Sequence, residues 1–371
     1  MRIAMLLSNG FGPDPRVAAE ALALREAGHQ IVIFAWDRTG QLPPSEDYRG
    51  IKIIRCPVRT TYSKGPLQIF KFKRFWEECR RFLAEQHPEA VHCHDLDTLQ
   101  PGIRYGQENG IPVVFDAHES YPDMVTHLFP APLVWLIRRL EARLVPRAAA
   151  VITVGTVLGA RFHGLRARQV VVVGNYKSLS GTSEGYGGKH TPLQIVYVGG
   201  LNRDRLLAPL LQAAAGMPEF QIRIVGDGPE RVRLEGAAGG AANIQFTGFL
   251  APDKARAVVD ASDLVYYAID ATYPNNRYSA PNSLFLALAA GKPLIVTPIG
   301  EVAQIVGEED CGTVLEDLQP ETIRRALAQY HEPTFWEKQA ANSLNAARSK
   351  YNWDAAKYHL LEVYRQIEKG D

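Results

Sequence analysis

A chain of 371 residues exceeds what one hydrophobic core usually organises, so two domains of ordinary size are expected. With 46% hydrophobic and 22% charged residues it has the composition of a water-soluble globular protein, which excludes disordered, collagen-like and membrane-spanning classes. A formal net charge of +1, from 41 basic and 40 acidic side chains, removes the general electrostatic case for a nucleic-acid partner.

The chain opens on a short apolar run that stops at Asn9-Gly10, too short for a signal-peptide core and read as a first buried strand. Similar β-branched runs follow at 30–35, 51–54, 90–93, 112–115, 149–154 and 170–173, separated by longer amphipathic segments. A second series occupies 195–198, 222–225, 244–246, 264–267 and 294–297. Such alternation is the pattern of parallel strands joined by crossover helices. Between the two series, residues 175–192 are polar and glycine-rich and read as a linker.

The fold class is therefore α/β, with two Rossmann-like domains, 1–177 and 190–352. They are expected to face an interdomain cleft into which the strand carboxyl ends deliver ligands. In 353–371, Leu360, Leu361, Val363 and Tyr364 at helical spacing predict a closing helix that can pack back on the first domain. Charge divides with the domains: residues 1–177 hold 23 Lys/Arg against 17 Asp/Glu, net +6, and the remainder is net −5.

Two basic segments of the first domain carry apolar side chains, Lys71-Phe72-Lys73-Arg74-Phe75-Trp76 and Leu133 to Arg139 continuing to Arg143 and Arg147. Peripheral contact with an anionic membrane is one reading. The preferred one is a pair of ordinary amphipathic helices with their aromatics packed inward. Cys56, Cys79, Cys93 and Cys311 show no paired spacing, so reduced thiols and a cytoplasmic location are expected, the inner face of the membrane included.

Candidate chemistry lies where strands end. Ser8 to Pro15 is a glycine-containing loop before a helix, but Pro15 stands where a dinucleotide fingerprint needs its third glycine. His92, His94, Asp95 and Asp97 follow one strand, and Asp116, His118 and Glu119 the next. A metal site is discounted, because consecutive strand-end residues point in different directions and no strong ligand spacing is present. For His118 a purely structural hydrogen-bonded role stands beside a catalytic one.

In the second series, Gly199-Gly200 with Arg203 and Arg205, Gly226-Asp227-Gly228-Pro229 and Thr247-Gly248-Phe249 form three successive glycine turns, a layout suited to a nucleotide diphosphate. Pro281-Asn282-Ser283 opens a further helix whose first N–H groups can meet an anion.

Taken together, Asp14-Pro15-Arg16-Val17, Glu20-Ala21, Gly28-His29, His94-Asp95-Leu96-Asp97, Asp116-Ala117-His118-Glu119, Gly199-Gly200, Gly226-Asp227-Gly228-Pro229, Pro281-Asn282 and Gly291-Lys292-Pro293 resemble the GT-B-fold retaining glycosyltransferases called family four, over nearly the whole chain. The resemblance implies a nucleotide-sugar co-substrate of unknown base on the C-terminal domain, with no cofactor and no metal. The acceptor, approaching from the N-terminal domain, is unidentified; lipid-linked and polysaccharide acceptors are among those it allows.

By the same resemblance, Gly12 lies near the donor phosphate or sugar, His118 beside the reacting sugar as the catalytic candidate, and Arg205 on the diphosphate, with Glu119 a further substrate-binding candidate. Gly200, Arg203, Gly226, Asn282 and Ser283 join that donor site, and Phe249 falls in the loop that reads the base. The chain departs from the pattern at the usual pair of glutamates eight positions apart, where it carries Tyr278 and Leu286. Two readings stay open: an active transferase using Asn276, Arg277 or Tyr278 instead, and a transferase-like protein that serves as partner or scaffold for another enzyme. The presence of Asp116, His118, Glu119 and Arg205 favours the first.

Overall fold

A computed structural model describes residues 1–12, 14–60, 67–179 and 189–370, the first four of the third stretch as backbone only. Within the expected linker, Ser180 to Gly188 lie outside the described residues. The chain divides into two units, Met1–Gly174 with Ala356–Asp371, and Asn175–Ala355.

In the first unit the strands are β1 (Arg2–Leu7), β2 (Gln30–Ala35), β3 (Ser45–Tyr48), β4 (Ile51–Arg55), β5 (Ala90–His94), β6 (Val113–Ala117), β7 (Ala150–Thr153) and β8 (Val170–Val172). They form one sheet ordered β3-β4-β2-β1-β5-β6-β7-β8, parallel throughout except for the antiparallel β3–β4 pair at its edge. Most of its central strands are apolar because helices cover both faces of such a sheet; Ile3, Met5, Ile33, Val91 and Val114 are fully buried. Strand order reverses between β1 and β5, so their carboxyl ends open the crevice where an α/β sheet receives ligands.

The second unit carries β9 (Leu193–Val198), β10 (Phe220–Val225), β11 (Ile244–Gly248), β12 (Leu264–Tyr267), β13 (Leu294–Val296) and β14 (Gly312–Val314). Their order, β11-β10-β9-β12-β13-β14, is all parallel and reverses between β9 and β12. Two parallel-sheet units thus match the expected α/β class.

The structure adds β3 and β14, which the apolar pattern did not indicate, and it moves a boundary. Asn175 to Lys177 belong to the second unit: Asn175 Nδ2 donates to Ala280 O at 3.1 Å and Lys177 O accepts from the Trp353 N–H at 3.1 Å. The helix Trp353–Lys369 is grouped with the first unit from Ala356 onward, where Leu360, Val363 and Tyr364 are buried. No helix among the described residues is long and apolar enough to cross a membrane. All four cysteines are free and buried.

Candidate functional site

In the first unit the loop after β1 is shaped from both sides. Asp14 caps the helix Pro15–Glu26, accepting from the Arg16 N–H at 3.1 Å, and Asn9 Nδ2 donates to the other Asp14 oxygen. Underneath, buried Arg55 donates to Gly10 O at 2.9 Å and Phe11 O at 3.2 Å and pairs with Glu46 of β3. The polar edge strand therefore supplies the counter-charge that holds the loop. Phe11 takes φ +50°, and Gly12 stands open on a concavity of 380 Å³ that Asp14, Asp37 and Arg38 also line.

At the ends of β5 and β6, Asp116 is the centre of a buried ionic network. Arg16 grips its carboxylate with two N–H groups at 3.0 and 2.6 Å and donates to Val173 O as well. Asp116 Oδ2 also lies 2.9 Å from His94 Nδ1 and 2.8 Å from His118 Nε2. Around it, Glu20 is 3.0 Å from Arg16 and 3.5 Å from His92, whose other nitrogen meets the Tyr364 hydroxyl at 2.7 Å.

Although burial opposes it, Arg16 and then His118 hold the Asp116 carboxyl well below the usual range. Burial raises Glu20 to about 7 against the pull of Arg16, and lowers His94 to about 3. His118 goes the other way: Asp95 and Asp116 overcome its burial and raise it to about 9, so it is an imidazolium at neutral pH.

His118 keeps 23% of its side chain exposed, with Asp95 3.5 Å from one ring nitrogen and Asp116 2.8 Å from the other. Asp95 itself holds φ +61° and ψ 165°, a region almost reserved for glycine, while its carboxylate accepts from the His118 N–H at 3.3 Å. Strain of this kind persists where the surroundings overdetermine a side chain. Glu119 follows, half-buried.

Glu20, His92, His94 and Asp116 each place a ligand-type atom within 4.8 Å of the others. His92 and His94, two apart on β5, share a face and so converge with Glu20 and Asp116, whereas consecutive strand-end residues diverge. Arg16 nevertheless decides how the cluster reads. Its guanidinium already contacts both carboxylates, and a divalent cation there would meet that positive charge at short range. The set is a charge-compensated network, and Arg16, which motif spacing did not single out as a functional residue, is its keystone.

In the second unit the three glycine turns are laced together at the ends of β9, β10 and β11. The Gly199 N–H donates to Val225 O, and the Gly226 N–H to Gly248 O. At φ +140°, Gly226 comes so close to its neighbour that a Cβ there would stand 1.8 Å from Gly199 O. Gly200 is exposed, and its carbonyl accepts from the Tyr197 hydroxyl at 2.8 Å.

Arg205 bridges by its backbone to Ile269 just beyond β12, placing it at the point where strand order reverses. Its guanidinium pairs with Asp204 at 2.6 Å, touches Asn276 at 3.5 Å and lies over the Tyr267 ring. Arg203 does not join it there; it is exposed and pairs with Glu230. Phe249 is exposed, and Tyr278 is half-buried at the end of the 3₁₀ turn Pro274–Tyr278.

Asn282 and buried Ser283 open the helix Asn282–Ala289, where Lys177 Nζ donates to Asn282 Oδ1 at 2.5 Å. Burial lowers Lys177 to about 8. Nothing in its local sequence marks Lys177, which reaches Asn282 across 105 residues by tertiary folding.

Residues 11–176 match the family model described as a glycosyl transferase 4-like domain, and residues 192–332 match glycosyl transferases group 1. The chain belongs to the family-four glycosyltransferases of the GT-B fold. It is 25% identical over 214 residues to an uncharacterised glycosyltransferase of Methanocaldococcus jannaschii, a match covering 56% of this chain and 52% of that protein, so it spans about half the relative's length. Among solved structures it resembles a sucrose-phosphate synthase from Thermosynechococcus elongatus, with a TM-score of 0.81 at 16% identity and all of both chains covered. It also resembles HepE of Anabaena in complex with UDP and glucose, with a TM-score of 0.66 at 16% identity, covering 99% and 98%. Tyr278 and Leu286, where the resemblance expects the paired glutamates, are both half-buried.

Proposed function

We propose that the protein transfers a sugar from a nucleotide-diphosphate sugar to an acceptor, with retention of anomeric configuration and without a metal ion. The observation that carries this is the cradle of the second unit: interlocked turns at Gly199, Gly226 and Gly248, with Arg205 at the reversal of strand order. Close glycine backbones let N–H groups approach phosphate oxygens, and a guanidinium matches their planar, bidentate geometry. Arg205, Lys177 and the N–H groups at Asn282 and Ser283 would carry the leaving diphosphate's charge, the task that a metal performs elsewhere.

In the first unit, His118 is assigned to the donor sugar and the concavity beside Gly12 to the reactants. An imidazolium between two carboxylates is a poor proton abstractor, so its role is to donate hydrogen bonds to the sugar. Tyr278 and Leu286 provide no carboxylate, and the ribose contact falls to other groups such as Asn276 or the backbone. The complex of HepE with UDP makes UDP-sugars the first donors to test, followed by GDP- and ADP-sugars.

Calorimetry should detect a nucleotide sugar at sub-millimolar concentration, with Arg205→Gln weakening it by at least about tenfold, the loss expected for a charge-assisted contact. His118→Ala should cut turnover while leaving donor affinity within a few-fold, and NMR of the product should show the retained anomer. If the folded protein binds none of these donors at millimolar concentration, the reading as a non-catalytic partner of another enzyme replaces this one.

A further inference from the structure

Two segments of the first unit mix basic with aromatic side chains, and the structure treats them oppositely. In the helix Leu67–Gln86, Phe75 is buried and stacks on Trp36 with centroids 4.4 Å apart, and Trp76 Nε1 donates to Asp97 O at 2.7 Å. Those aromatics are committed to the interior. In the helix Ala131–Leu144, Val134, Glu141 and Leu144 form the buried face instead, while Trp135 is 52% exposed and Leu136 55%. Leu128, just before this helix, is 48% exposed.

At about 100° per residue, Trp135, Leu136, Arg139 and Arg143 fall within one arc of about 100° on the outer face. Arg139 lies over the Trp135 ring at 4.4 Å, and Arg147 is exposed just beyond the helix. The carboxylates of this region are withdrawn from that face: Glu141 is buried against Arg161, and Asp123 pairs with Arg138. The outcome is a compact apolar patch rimmed by arginine, with no exposed acid on the helix.

A surface of this composition is complementary to an anionic bilayer. Tryptophan and leucine enter the boundary between headgroups and acyl chains, arginine stems lie along the apolar surface, and guanidinium groups meet lipid phosphates. We propose that the outer face of the helix Ala131–Leu144 is a peripheral docking surface for anionic lipid. The inward-packed reading preferred from sequence thus holds for the first basic segment and fails for the second.

Flotation of the full chain with liposomes tests this. At low salt the protein should rise with vesicles of about one-third phosphatidylglycerol in phosphatidylcholine, stay down with pure phosphatidylcholine, and be released near 0.5 M salt, about where screening removes surface attraction. Trp135→Ser/Leu136→Ser and Arg139→Gln/Arg143→Gln should each reduce the bound fraction at least about tenfold with circular dichroism unchanged, because these side chains support no core. Equal binding to neutral vesicles, or wild-type flotation by both double variants, overturns the proposal. So does a concentration-dependent dimer in analytical ultracentrifugation that Trp135→Ser/Leu136→Ser abolishes, which would assign the patch to a second copy.

Discussion

Arg16 shows how one side chain can set the protonation of a whole buried cluster. Its two N–H contacts to Asp116 and its contact with Glu20 place a permanent positive charge against two fully buried carboxylates. Arg16→Met should therefore cost about 3–5 kcal/mol in urea unfolding, the usual penalty for orphaning a buried charge. Adding Asp116→Asn should recover part of it, and a single variant as stable as wild type would refute the network. Arg16→Lys should fall between, because an ammonium cannot grip both oxygens in a fork.

His118 gives the same cluster a pH signature. Its folded value of about 9 against an ordinary 6.5 is worth on the order of 3 kcal/mol in favour of the folded imidazolium. A raised folded value means that this stability is fully present below pH 6.5 and is lost as pH rises through 9. Glu20, raised from 4.5 to about 7, loses stability in the same direction over a lower window. Unfolding free energies at pH 6, 7.5 and 9 should fall for the wild type, and His118→Gln should flatten the segment above about 6.5 while leaving that below it. Equal slopes in the two proteins would show that His118 does not hold its proton.

Among elements, the glycine turns of the second unit separate shape from mere flexibility. Gly226→Ala would drive a Cβ to 1.8 Å from Gly199 O at a φ that alanine avoids, so the β9 and β10 ends must part. Destabilisation of at least about 2 kcal/mol, with donor binding lost, is expected. Gly236 is the contrast, lying inside the helix Arg231–Ala238 with nothing within 4 Å of a Cβ; Gly236→Ala should stabilise by about 0.5–1 kcal/mol and leave binding untouched. Thermal and chemical denaturation of the two variants reads both signs.

These elements also mark what sequence could reveal. Buried parallel strands announce themselves as apolar runs, so β1, β2, β4 to β13 were legible to within a few residues. The Ser-Glu-Asp-Tyr of β3 buries no continuous face and is held by pairing with β4 and by Arg55; β14 has only three residues. The site divides similarly. Glycine turns and strand-end acids are local features, whereas Arg16 on Asp116, Tyr364 on His92 and Lys177 beside Asn282 are contacts across 100 or more residues that no spacing encodes.

For the whole molecule, the decisive property is that the first unit is discontinuous, drawing its last helix from beyond the second. That helix is no ornament to the sheet: Leu360, Val363 and Tyr364 are at most 1% exposed, and the Tyr364 hydroxyl completes His92 in the Asp116 cluster. Burying Leu360 and Val363 contributes about 3–6 kcal/mol, and the hydrogen bond to His92 about 1 more. Domains commonly have only about 5–15 kcal/mol of net stability. A fragment of residues 1–174 should consequently lose fixed tertiary packing, with weak near-ultraviolet dichroism and a broad thermal transition, although it contains all eight strands of its sheet. Supplying residues 353–371 as a peptide should restore a cooperative transition, and the peptide carrying Tyr364→Phe should restore it less well. Residues 175–355 form an uninterrupted unit and should fold without that helix. A cooperative, peptide-independent 1–174 fragment would show that the chain's return to its first unit adds little to stability.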